Sequence, residues 1–109
     1  MKAGTKNRFD VDSLNFTSRD SKGLICWWDV TAPKTNYWHT HYSLGRAYAL
    51  ELIDMIQLAN EKVREERKST FGAIASTIVR KADEIPNDGL YMGFFDTISE
   101  FLITGDVAR

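Results

Sequence analysis

The chain has 109 residues, 43% of them hydrophobic and 27% charged, with two prolines and seven glycines. That composition excludes a disordered tail or a collagen-like chain, and the length suits one small domain with a thin core. Fourteen Lys and Arg against fifteen Asp and Glu leave a net charge of −1, well short of the basic surplus that phosphate neutralisation by a nucleic-acid binder calls for.

The charge is uneven, since residues 83–109 hold six acids and one base. Cys26 is the single cysteine, so an internal disulfide or a cysteine-based metal cluster has no ligands to draw on. The charged start, MKAGTKNRFDVDS, is not followed by an apolar run. The expectation is a cytoplasmic protein with no signal peptide and no membrane span.

In chain order, residues 1–8 read as a flexible polar tail, and 9–109 as a single helix-rich domain. Apolar residues at Phe9, Val11, Leu14 and Phe16 alternate imperfectly and predict a short strand. Turn residues at 18–23, with Gly23 free to take positive φ, lead to a second strand, Leu24 to Thr31. Pro33 then ends the strand.

A helix begins between Asn36 and Ser43 and runs through Leu44 to Val63, apolar over most of its circumference. A second helix, Thr70 to Glu84, carries Phe71, Ile74, Ala75, Ile78, Val79 and Ala82 at the spacing of one buried face. Pro86 stops it. A third helix follows Asp88 as N-cap, buries Tyr91, Phe94, Phe95, Ile98, Phe101 and Leu102, and ends at Gly105. The fold expected is α+β and mainly α: three helices packed with a short N-terminal β-hairpin.

Trp27 and Trp28 are adjacent on a predicted strand and so face opposite ways, one toward the core and one needing further cover. Together with Tyr37, Trp38 and Tyr42 they form an aromatic segment of the kind enriched at desolvated interfaces. Trp28, Trp38, Tyr42 and Tyr37 are the expected contact residues. On a helical wheel Glu51 falls between Leu44 and Leu58, where a carboxylate must be paired, hydrogen-bonded or protonated. Its expected role is to set specificity.

His39 and His41 face the same side if that segment is extended and diverge if it is helical. An acid–base pair with Glu51 inside an aromatic pocket is the catalytic alternative. Glu51 with Asp54, and Asp96 with Glu100, are spaced to share helix faces, which would suit Mg²⁺. No signature motif for metal or phosphate binding accompanies them, so neither metal nor cofactor is expected. For a weak nucleic-acid-binding regulator the candidate face is Arg64, Arg67, Lys68, Arg80 and Lys81, diluted by Glu61, Glu65 and Glu66. Gly45, Gly72 and Gly93, each within a predicted helix, suggest close helix contacts.

The leading expectation is a protein-interaction or regulatory module that forms a homodimer, with an unidentified protein as a further partner and no catalysis of its own. More apolar surface is present than three short helices and a hairpin can cover.

Overall fold

Between Asp20 and Leu24 the chain reverses around Gly23, whose φ of 81° lies in the left-handed region that glycine adopts without strain. The Asp20 carboxylate accepts the Lys22 and Leu24 amides at 2.8 and 3.0 Å and fixes the turn. The turn joins two short antiparallel strands, β1 (Ser18–Arg19) and β2 (Ile25–Cys26). Their register pairs Ser18 with Cys26 and Arg19 with Ile25. The structure, a computed structural model, describes residues 11–81, 84 and 87–107. The expected N-terminal tail and Pro86 lie outside them.

Four helices complete the described residues: α1 (Trp38–Leu58), α2 (Glu61–Glu66), α3 (Thr70–Lys81) and α4 (Gly89–Thr104). The fold is α+β and mainly helical, with the short antiparallel hairpin near its N-terminus. Two compact units are distinguished, one made of residues 11–30 with 54–84 and one of 31–53 with 87–107; α1 contributes to both.

Of the strand expected over 9–16, residues 9 and 10 lie outside the described residues, and the rest holds a 3-10 turn, Val11–Ser13, instead. Leu14 N–H donates to the Val11 carbonyl at 3.1 Å, so the three-residue step between Val11 and Leu14 fits a tight helical turn better than a pleat. β1 forms where a turn was expected, and β2 covers only the start of the predicted Leu24–Thr31 strand. One further backbone bond beyond the strands, Asp29 N–H to the Phe16 carbonyl at 2.8 Å, holds Trp28 beside Phe16, with ring centroids 5.6 Å apart.

The first long helix ends at Leu58 rather than Val63. Asn60 takes an extended conformation and its side chain accepts the Val63 amide at 2.9 Å. It therefore opens a new helix instead of continuing the old one. Arg64 closes the other side of this break by donating to the Ile56 and Gln57 carbonyls at 3.1 and 3.3 Å, in the last turn of the helix, where the Ile56 carbonyl also accepts the Ala59 amide at 3.2 Å.

α3 buries Thr70, Ile74, Thr77 and Ile78. Phe71 and Val79, expected inside, are exposed. The seam runs through the two threonines because the Thr77 hydroxyl donates back to the Ala73 carbonyl at 2.8 Å, which removes the cost of burying it.

α4 buries Leu90, Gly93, Phe94, Thr97 and Ile98. Leu102, expected in that row, is 74% exposed. Asp88 holds the N-cap position without a capping hydrogen bond from its side chain, and Gly105 ends the helix at φ 81°.

Candidate functional site

Within the unit of residues 31–53 and 87–107, α1 and α4 run in the same sense and meet through glycine. A methyl group at Gly45 would collide with the Leu90 carbonyl, and one at Gly93 with the Tyr42 carbonyl. At Gly89 it would sit 2.6 Å from the Trp38 carbonyl oxygen. Only hydrogen at these three positions lets the two backbones approach so closely.

Three α1 side chains spaced four apart then reach across to α4. Trp38 Nε1–H donates to Asp88 at 2.7 Å, and the Tyr42 hydroxyl to Asp96 at 2.9 Å. Arg46 donates to the Thr97 hydroxyl at 3.1 Å and to Glu100 at 3.3 Å. Thr97 in turn donates to the Gly93 carbonyl at 2.8 Å. The hydrogen bond to Asp96 is the main cause that raises the Tyr42 pKa above the ordinary tyrosine value, followed by burial and by the Asp96 charge.

Trp38 and Tyr42, expected at a contact surface, thus serve as tethers between α1 and α4, their rings 5.0 Å apart. Tyr37 is 62% exposed, packed against His39 at 5.4 Å. Trp28, expected at the same surface, belongs to the other unit and is 1% exposed. Of the adjacent indoles it is the one that enters the core, while Trp27 stays half-buried.

Because α1 starts at Trp38, the two histidines sit on a helix and diverge. His39 is exposed beside Trp38, whereas His41 is fully buried and its Nε2–H donates to the Thr35 carbonyl at 2.8 Å. His41 Nδ1 has no hydrogen-bond partner among the described residues. Ten residues of continuous helix separate His41 from Glu51, a rise of about 15 Å, so one helix does not bring an imidazole onto that carboxylate. Glu51 is half-buried, and its charge, after burial itself, helps raise the Tyr48 pKa.

Asp96 and Glu100 are taken up by Tyr42 and Arg46. Among the described residues no group of three His, Cys, Asp or Glu side chains gathers as metal ligands. Nor is any described helix long and apolar enough to cross a membrane.

The outer side of α4 presents a different surface. Met92, Phe95, Ser99, Leu102 and Ile103 follow one helical stripe, opposite the buried row of Leu90, Phe94 and Thr97. Leu102 is 74% and Ile103 80% exposed. The only charges in the helix sequence, Asp96 and Glu100, are bonded to α1 side chains. α4 is therefore apolar on two faces, one covered by its own unit and one open.

The glycines of this crossing had a signal in the sequence, since Gly89 and Gly93 stand four apart, the small-residue spacing that lets helix backbones touch. Arg46 had none: only the fold brings it to Glu100.

The basic candidates lie in the other unit. Arg64, Arg67 and Lys68 line one small pocket with Ile56, Thr70 and Phe71, and Arg80 lines a separate cleft with Trp27 and Lys81. Comparison with models of protein families, with curated proteins and with solved structures finds no match to this chain.

Proposed function

We propose that this chain is a self-associating interaction module, without catalysis of its own, whose contact surface is the outer stripe of α4. The observation that carries the reading is the pairing of two highly exposed side chains, Leu102 and Ile103, with a helix whose charges are turned to other work. Interface centres are depleted of charge and enriched in Met and aromatic residues, which matches Met92 and Phe95 on this stripe.

A second copy is the partner the stripe fits. Laid antiparallel about a twofold axis, Met92 meets the partner's Ile103, and the contact occurs twice. The small Ser99 side chain leaves room at the centre. Apolar cover for α4 then comes from the same face of another chain. A regulatory role follows if the monomer–dimer balance sets which partners bind, and work in the cytoplasm is part of the same proposal.

The test is sedimentation of the wild type beside Leu102→Asp and Ile103→Asp, with Val79→Asp as control. Val79 is 75% exposed on α3, outside the proposed surface. The expected outcome is a dimer abolished by either α4 change, with helical content intact, and preserved by Val79→Asp. A wild type that stays monomeric at every concentration refutes the proposal, as does a dimer indifferent to both α4 changes.

A further inference from the structure

At the junction of α2 and α3 the chain forms a cavity of about 190 Å³. Ile56 and Phe71 give it apolar walls, while Arg64, Arg67 and Lys68 line it with cations. We propose that it binds a small anion with an apolar body, a carboxylate or phosphate carried on a ring or short hydrocarbon.

Arg67 is the first argument. It is half-buried, yet its side chain makes no hydrogen bond or ion pair among the described residues. Partial burial strips water from a guanidinium, and an anion returns that lost solvation through short, charge-assisted bonds.

Arg64 is the second. Its bonds to the Ile56 and Gln57 carbonyls use two of five N–H donors and hold the fork in place beside the cavity. Lys68 is bridged to Glu65 and adds charge more than a directed bond.

The backbone contributes as well. Thr70 and Phe71 open α3; the Thr70 amide is already donated to the Arg67 carbonyl at 3.0 Å, so the helix adds the partial positive charge of its first turn rather than that hydrogen bond.

Size and surroundings narrow the ligand. At about 30 Å³ per water, the cavity admits a head group with a ring-sized body and little more. Glu61, Glu65 and Glu66, all exposed on α2, repel an extended polyanion, so one compact anion suits the site better than a nucleic-acid backbone.

The experiment titrates the isotope-labelled full chain with phenyl phosphate and with benzoate, following the backbone amide signals of Thr70 and Phe71. Inorganic phosphate and phenol are titrated separately to resolve head group from body. Saturable shifts are expected with phenyl phosphate, benzoate or both, and weaker binding of phosphate and phenol alone. Arg67→Gln is expected to weaken binding about tenfold or more, and Arg80→Gln, in the separate cleft, to leave it unchanged.

Three results overturn the proposal: no saturation with either aromatic anion, phenol binding as tightly as phenyl phosphate, or Arg80→Gln weakening binding as much as Arg67→Gln. Should Arg67→Gln fail to fold, the comparison of phenol with phenyl phosphate on the wild type decides.

Discussion

In residues 31–53 and 87–107 two long helices touch backbone to backbone, and polar tips of one are tied to acceptors on the other. In residues 11–30 and 54–81 the elements are short, and a buried indole, Trp28 against Phe16, takes the place of helix contact. The first arrangement depends on atoms that are missing from glycine, the second on the bulk of one side chain. Opposite substitutions should therefore injure the two: added volume in one, removed volume in the other.

Trp28→Ala is the largest expected effect. Emptying a fully buried indole site should cost about 3–5 kcal/mol, which for a chain of this size consumes much of its stability. Chemical denaturation would read this as a large fall in midpoint. A loss under about 1 kcal/mol would mean that Trp28 is not the anchor of its unit.

Next come Gly45→Ala and Gly93→Ala. Each drives a methyl into a carbonyl of the facing helix, and about 1–3 kcal/mol should be lost as the backbones separate. Gly72→Ala sharpens the contrast because nothing lies near its added methyl. On the exposed side of α3 it should raise stability by about 0.5–1 kcal/mol, through helix propensity alone. Thermal melting of the three variants side by side decides whether close approach, rather than glycine as such, matters.

Arg46→Met is smaller again. It removes the bonds to Thr97 and Glu100 but leaves the aliphatic stem, and both charged groups keep access to water, so the expected loss is about 1 kcal/mol or less.

The weakest expected effect is one of pH. Since the Tyr42 pKa is raised in the folded chain, the folded state keeps this proton when the unfolded state releases it at about pH 10. Its contribution is complete below that value and is lost as pH rises through the raised one. Wild type should lose more stability than Tyr42→Phe across that alkaline interval, as checked by denaturation at several pH values. Equal losses would place the Asp96 bond outside the stability of the fold.

Legibility in the sequence followed how local each cause was. Gly23 and Gly105 announced their left-handed turns, and the apolar periods of α3 and α4 announced helices, because each cause lies within a few residues. Asn60 carried a capping signal too, but Val63 keeps the helical register of Leu52 and Ile56 across it and concealed the break.

The faces of α3 and α4 were harder. Periodicity names a stripe but not its edge, so Val79 and Leu102 fell on the wrong side of the boundary. Thr77 and Thr97 are polar residues buried only because each hydroxyl has a backbone carbonyl one turn back. Trp28 and Trp38 had the composition of an interface; one fills a core and the other spans two helices, an assignment that residue type alone does not make. The rows that link Tyr42 to Asp96 and Arg46 to Glu100 span more than fifty residues and required the fold.

α4 unites the account, with glycine and tethered acids on one face and Leu102 and Ile103 on the other. The open face is proposed to close on a second copy of the chain. Sedimentation equilibrium over a concentration series tests this most directly: the account predicts a mass approaching twice the 12.4 kDa of one chain. A mass that holds at a single chain throughout would contradict it.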